Sequence, residues 1–532
     1  MSASAFKDGT VDQIFFFGDS LTDGGGVFDL TTLISETAAS FGIPGLPIVP
    51  PSPPYAGQFT NGLNYTDILP GMLGVDDANV INLAFGAAEA VGERPILSEE
   101  LQASIIGSGA PLPQDFLDLI STDINLGGQL AMFAELTQTV PVSPNSAAFI
   151  YIGGNDLNAL AALGTPTLEE GIAVVEGVVT NTLAAATQLK LAGVGTIVLT
   201  TLPAASFFPL ITILSPDLVP LGNDLLAAIN QGLKDGAAAL EAQGIEVEIV
   251  DLAALADEIM ADQSTFGFIE IEQPIIFGTG ATVDFNPALA DVPVDQVAFF
   301  DLLHYTESLH ETIAAFEEAS LTNETIFTGD DDDFIRASRD DDFVMSADGD
   351  DFVKLGRGDD VAIAGLGDDI VFGGSGSDLV AGGSGNDRLF GNRGEDVLAG
   401  GAGDDIVFGG SGSDALIGGP GDDLLFGGSG SDLFFVSDPA LFDGSESETF
   451  ISGGRGFDRL IVNLSEDALV IEQANIDANF QAGRFFSFET LDVTVRGVEA
   501  IDLQSGLDFD LTGLADGDLG ARLQEADLFG FV

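Results

Sequence analysis

The sequence predicts an α/β unit, a parallel sheet flanked by helices, followed by an all-β parallel roll. Three observations carry this. Residues 1–320 alternate short apolar runs with helix-length stretches. From Thr328 the composition turns abruptly to glycine and aspartate. In that part an aspartate recurs every nine residues, at twelve positions from Asp333 to Asp432.

In the first part the apolar runs are Ile14–Phe17, Val80–Leu83, Ala148–Ile152, Thr196–Thr200 and Glu246–Val250, each ending in a glycine-rich or polar turn. Helical stretches such as Gly128–Thr137, Gly171–Ala192 and Leu225–Gln243 lie between several of them. Strand then helix, repeated, predicts parallel strands covered on both faces. In such sheets ligands bind beyond the carboxyl ends of the strands. Gly42–Pro54 and Val91–Pro113 break the alternation. They read as substrate-binding loops, a lid, or long surface loops.

The chain of 532 residues is long enough for two or three domains. It carries 15 Lys+Arg against 85 Asp+Glu, a net charge of −70. Such a surface repels nucleic acid and anionic membranes and attracts divalent cations. Solubility in a salty medium is a second reading of the same charge. There is no cysteine, which excludes disulfides and thiol catalysis. Met1 to Asp12 lacks the apolar core of a secretory signal. No run reaches the 18 or so apolar residues of a transmembrane segment.

From Gly373 the repeat is clean, as in GGSGSDLVA and GGSGNDRLF. Glycines at its first, second and fourth places allow a tight turn with positive φ. The sixth place puts a carboxylate on that turn. An apolar residue two further on, such as Val380, Leu389 or Leu398, points into a narrow core. Two units make one 18-residue coil, with coils stacked at about 4.8 Å. Asp378, Asp396, Asp414 and Asp432 then share one edge, and Asp369, Asp387, Asp405 and Asp423 the other. Each edge offers the oxygens that calcium prefers. Without the ion the carboxylates repel, so the ladder should fold only with it.

This segment resembles the RTX family, whose unit GGxGxDxUx binds calcium in a parallel β-roll. The resemblance implies several calcium ions (Ca2+) on Asp360, Asp369, Asp378, Asp387, Asp396, Asp405, Asp414, Asp423 and Asp432. The unit ending at Asp342 lacks the glycines, so the ladder is expected from about Gly356, with a cap before it. In the 391–396 unit Asn392 replaces the second glycine, which a left-handed backbone tolerates. Gly453–Leu460 is a last unit, out of phase with the rest. The resemblance also implies extracellular export by type I secretion machinery. The ending Asp527-Leu-Phe-Gly-Phe-Val532 is similar to some of its uncleaved signals.

Ser20 stands directly after the first apolar run, in Phe15-Phe-Phe-Gly-Asp-Ser-Leu-Thr-Asp23. A serine nucleophile needs a base, and the chain has two histidines, His304 and His310. Asp301 precedes His304 by three residues, a spacing at which it can orient the imidazole. His310 falls on a helical stretch and reads as structural. Asn155, in Tyr151-Ile-Gly-Gly-Asn-Asp156, can donate to an oxyanion, as can a backbone N–H of Asn82–Ala88.

These four blocks, in this order, resemble the GDSL/SGNH hydrolases over about residues 12–320. Gly57–Gly62, Leu126–Phe133 and Leu202-Pro203 are secondary matches. The resemblance implies acyl transfer by Ser20, His304 and Asp301, with Ser20, Gly86, Ala87 and Asn155 around the oxyanion. Gly86-Ala87-Ala88 stands where the family usually has Gly-Gly-Ala, which leaves the donor open between Gly86 and Ala87. Tyr305 stands where a proline often follows the histidine, with little effect expected. Asp19 and Asp156 read as braces of their turns. The expected organisation is 1–322 hydrolase, 328–462 β-roll and 463–532 cap and export signal. The expected function is a secreted lipase or esterase acting on an ester or lipid substrate. Alternatives are a phospholipase or haemolysin, a deacetylase of polysaccharide esters, or an RTX adhesin with an inert hydrolase fold.

Overall fold

The computed structural model describes residues 6–23, 31–35, 63–91, 121–162, 166–261, 296–328, 332–437 and 448–505, apart from 8, 86, 87, 300–302 and 489, with isolated positions elsewhere. The loops 42–54 and most of 91–113, and the last residues 527–532, lie outside the described residues. The chain divides into two compact units, Met1–Asp257 with Ile269–Thr322, and Glu258–Phe268 with Asn323–Val532.

The first unit is built on five parallel strands: β1 (Gln13–Gly18), β2 (Val80–Asn82), β3 (Ser146–Tyr151), β4 (Thr196–Thr200) and β5 (Val247–Val250). Their order is β2-β1-β3-β4-β5. Every residue of β1, β3 and β4 is buried. That is why these strands read as unbroken apolar runs and not as alternating ones. Phe15 and Phe17 pack on Phe133, and Phe16 on Phe149.

The helices used below are α1 (Tyr65–Met72), α2 (Leu126–Leu136), α3 (Gly154–Ala161), α4 (Leu168–Leu191), α5 (Val219–Glu241) and α6 (Glu307–Thr322); Pro209–Leu214 and Leu252–Ala261 are helical too. Thr167 and Glu170 close a capping box at the start of α4. Leu226, Ile229, Leu233 and Leu240 form the buried stripe of α5, and α5 packs on α4. Among the described helices, α4 has the length and hydropathy to cross a membrane. In the fold it lies between α2 and α5, and it carries Glu169, Glu170, Glu176 and Lys190. The chain reverses its direction across the sheet between β1 and β3. Both carboxyl ends at that switch point open onto one crevice.

The second unit coils into two sheets of nine strands each, parallel throughout except for the edge strand Phe486–Ser487, which pairs antiparallel with Val493–Arg496. Leu379 pairs with Val397, and Val397 with Ala415, so one coil is 18 residues. The apolar residue of each repeat fills the space between the sheets. Val380, Leu398, Leu416 and Phe434 face Val371, Leu389, Val407 and Leu425, all buried. The turns need glycine: at Gly412 φ is 140°, and a Cβ would fall onto the carbonyl oxygen of Gly394. Asn392 takes the left-handed conformation at φ 74°. The out-of-phase unit is stacked in register, because Arg459 pairs with Leu433. Strands Val493–Arg496 and Ala500–Ser505 then continue both sheets.

Candidate active site and cation ladder

The turn after β1 brings Ser20 to the switch point. Gly18 has no room for a side chain. A Cβ there would meet the Tyr151 carbonyl and lie 2.7 Å from Thr22 Oγ1. Gln129 of α2 brackets the same residue. Its Oε1 accepts from Gly18 N at 2.9 Å, and its Nε2 donates to Gly18 O at 2.7 Å. Asp19 accepts from Leu21 N at 3.1 Å, which closes the turn around Ser20.

His304 Nε2 lies 2.9 Å from Ser20 Oγ, and both side chains are buried. The histidine directly precedes a bridged residue. Phe299 and Tyr305 form an antiparallel bridge, and Thr306 N donates to Ala298 O at 3.0 Å before α6 begins. Tyr305, expected to matter little, is fully buried. Its ring packs against Phe207 and Phe299, and its hydroxyl lies 3.5 Å from that of Tyr151. It therefore anchors the residue next to His304. Asp301, Gly86 and Ala87 lie outside the described residues. His310 is buried away from Ser20, between Tyr65 and Tyr305. Burial pushes its imidazole down to about 3, so it stays neutral at ordinary pH.

After β3, Gly153 turns the chain with φ 131° and α3 starts at the crevice. Asn155, half-buried, donates from Nδ2 to Ala88 O at 3.0 Å. Asp156 accepts from Ala90 N at 2.8 Å and Val91 N at 3.1 Å. Asn125 Oδ1 takes the N–H of Glu89, and Asn181 Nδ2 donates to Ala90 O. Four side chains thus hold 88–91, directly after the glycine block. Burial raises Asp19 to about 7, against the Leu21 N–H bond and the nearby His304. Burial likewise raises Asp156 to about 6, against its two backbone bonds. No sequence reading gave Gln129, Asn125 or Asn181 a role. Gln129 lies inside the Leu126–Phe133 motif, which was its one visible signal.

A cleft of about 870 Å³, counted to its open mouth, runs from Ser20 and Asn155 along Leu160, Ala161, Leu202, Leu221 and Leu225. Its walls are almost wholly apolar past the serine.

In the roll, each ladder aspartate accepts through Oδ1 from the aspartate N–H one coil earlier. Asp396 N donates to Asp414 Oδ1 at 3.0 Å, and Asp387 N to Asp405 Oδ1 at 2.8 Å. The same bonds join Asp351 to Asp369, Asp360 to Asp378, Asp369 to Asp387, Asp378 to Asp396, Asp405 to Asp423 and Asp414 to Asp432. The second oxygens of Asp369, Asp405, Asp414, Asp423 and Asp432 are buried without a hydrogen-bond partner. Burial lifts Asp405 to about 9, and Asp369, Asp414 and Asp423 to about 8. A Cβ on Gly409 would run into Asp414 Oδ2 and lie 2.8 Å from Gly427 O. A lone carboxylate oxygen and a turn carbonyl thus face one small space. Such orphaned oxygens fit a hard cation. Among the described residues no three carboxylate or imidazole side chains converge on one point. Turn carbonyls would therefore supply most of the other ligands.

Two residues share this geometry beyond those expected. Asp351 Oδ2 and Asp458 Oδ2 are buried and unpartnered in the same way. Asp432 N donates to Asp458 Oδ1 at 3.0 Å across 26 residues instead of 18. Asp342 differs, because Ser338 N donates to its Oδ2 at 2.7 Å and closes the carboxylate from within.

A serine–histidine pair at the switch point of a parallel sheet, with an apolar cleft, defines a class of serine hydrolases. The model of the family GDSL-like Lipase/Acylhydrolase matches residues 14–316, and the chain belongs to this family of ester-hydrolysing enzymes. Four copies of the RTX calcium-binding nonapeptide repeat match residues 319–353, 347–380, 381–416 and 408–437. Comparison with curated proteins finds no match.

Proposed function

We propose that the protein is a secreted carboxylic ester hydrolase, a lipase or esterase, working through an acyl-serine. The 2.9 Å contact between Ser20 Oγ and His304 Nε2 at the mouth of the apolar cleft carries this reading. Ser20 Oγ attacks the ester carbonyl, and its proton passes to His304. Asp301 orients the imidazole and balances its charge. The oxyanion takes hydrogen bonds from Ser20 N–H, from the N–H of Gly86 or Ala87, and from Asn155. His304 then protonates the departing alcohol. Water, deprotonated by the same histidine, attacks the acyl carbonyl, and Ser20 Oγ leaves with the proton.

The cleft favours esters of a hydrocarbon acid over polysaccharide acetates. Residues 1–322 carry the chemistry; the β-roll expected over 328–462 continues into Val493–Arg496 and Ala500–Ser505, and the rest of 463–532 supplies the cap and export signal. Calcium is held by the aspartates from Asp360 to Asp432 together with turn carbonyls. Bound there, it neutralises the carboxylates and supports folding outside the cell after type I export. Ser20→Ala, assayed on p-nitrophenyl esters of short and long acids, tests the reading. Loss of hydrolysis with unchanged circular dichroism is expected, and full retained activity refutes it.

A further inference from the structure

One sheet of the roll runs from strand Phe334–Arg336 through Val493–Arg496 to the edge strand Phe486–Ser487. Its strands alternate, with Val371, Leu389 and Val407 facing the core and their neighbours facing out. The outward positions carry a ladder of phenylalanines. Phe372, Phe390, Phe408 and Phe426 stack on successive coils with ring centroids 4.7, 5.1 and 4.8 Å apart. Phe334 and Phe352, stacked at 5.0 Å, stand in the neighbouring column, in line with Ile370, Ile406 and Leu424. The face is partly open to solvent: Phe334 is 74% exposed and Leu424 39%, while Phe372, Phe390, Phe408 and Phe426 are half-buried. On the other sheet the outward positions Leu379, Val397, Ala415 and Leu433 are buried.

Charge separates this face further from the rest of the molecule. Its nine strands contain no aspartate or glutamate, in a chain with 85 of them. They contain Arg336, Lys354, Arg388, Arg393, Arg455 and Arg496, six of the chain's 15 basic residues. All six are exposed. The strands of the other sheet hold one basic residue, Arg459, and it pairs with Asp502. The exposed Asp332, Asp350, Asp368, Asp404 and Asp422 border the strands only at their preceding turn. The apolar stripe with its arginines and Lys354 on the strands themselves is complementary to an anionic amphiphile.

The ring geometry narrows the occupant. The central rings stack within 4–12° of parallel along the roll axis. Their faces are covered by one another, and their edges point outward. Sugars need open ring faces, whereas acyl chains are content with hydrocarbon edges. We propose that this face adsorbs the protein to a lipid layer carrying anionic headgroups. The phenylalanine edges enter the acyl boundary, and the arginines and Lys354 snorkel to the headgroups. The proposal does not depend on the ester-hydrolase reading.

The test uses the full chain as Ser20→Ala, saturated with calcium, in flotation with vesicles of phosphatidylcholine, with and without phosphatidylglycerol. Tight binding to the anionic vesicles is expected, weakening as salt rises. Phe390→Ser with Phe408→Ser, and separately Arg388→Glu, should each weaken binding about tenfold or more. Both variants are read only with an unchanged calcium-induced circular dichroism spectrum. Absence of binding overturns the proposal. So does binding to which both variants are indifferent, which would mean calcium bridging through carboxylates. A dimer that the phenylalanine variants dissociate, with no vesicle binding, also overturns it and assigns the face to a second copy.

Discussion

Removing calcium should unfold the roll while its sequence stays intact. The unpartnered Oδ2 atoms of Asp351, Asp369, Asp405, Asp414, Asp423, Asp432 and Asp458 are seven buried acceptors without a bond. An unsatisfied buried acceptor costs about 1–3 kcal/mol, more when charged. Even the low end, taken seven times, reaches the 5–15 kcal/mol or so by which a whole domain is stable. The core between the sheets is one side chain deep, so little else offsets this. In chelator, far-UV circular dichroism of the full chain should lose its β signal, and calcium should restore it cooperatively. Magnesium should not, because it demands a tight octahedron and keeps its waters. Asp405→Ala should raise the calcium midpoint without abolishing folding. A spectrum and melting curve unchanged by chelator would refute the reasoning outright. Esterase activity in the same samples shows whether the first unit needs the second.

Other substitutions probe the first unit. His304→Ala should lower kcat on the order of 10⁴-fold, whereas His310→Phe should keep most of it, as paired initial-rate assays would show. Gln129→Ala strands the N–H and carbonyl of Gly18 and should cost about 2–4 kcal/mol in urea denaturation, with a fall in kcat larger than any change in KM. Asp19 has a folded pKa of about 7 against an ordinary 3.8, so the folded state keeps a proton that the unfolded state has lost. Stability therefore falls as pH rises from about 4 to about 7, by up to about 4 kcal/mol. Asp19→Asn should be more stable than the parent at pH 8, and the gap should close towards pH 4. A gap independent of pH in urea midpoints would contradict this.

β1, β3 and β4 were legible because both faces are buried, which keeps their centres apolar. The switch-point site was legible where its residues lie next to a strand end, as Ser20 and Asn155 do. Its braces were not. Gln129 bonds Gly18 across 111 residues, and Asn181 bonds Ala90 across 91. A lone amide in a helix carries no sign of such a distant partner. Nor could the letters show that Tyr305 fills an aromatic pocket beside the histidine.

The roll was legible in its fold and its 18-residue coil, but its two ends were not, for a different reason. Its register is set by bonds from one aspartate N–H to the next carboxylate, and not by a fixed count of residues. A coil can therefore take eight extra residues between Asp432 and Asp458, and the bond still forms at 3.0 Å. At the other end the unit ending at Asp342 lacks the glycines, which puts the expected start of the ladder at about Gly356; the next unit has Ala347 where later units have glycine. Yet Ala347 adopts φ 64°, so the backbone keeps the turn and Asp351 keeps its place. The physical repeat is thus the left-handed turn with an inward carboxylate, and glycine is its cheapest realisation. Where that turn is truly absent, at Ser338, the carboxylate of Asp342 folds back on its own chain. The ladder there has no orphaned oxygen to offer a cation.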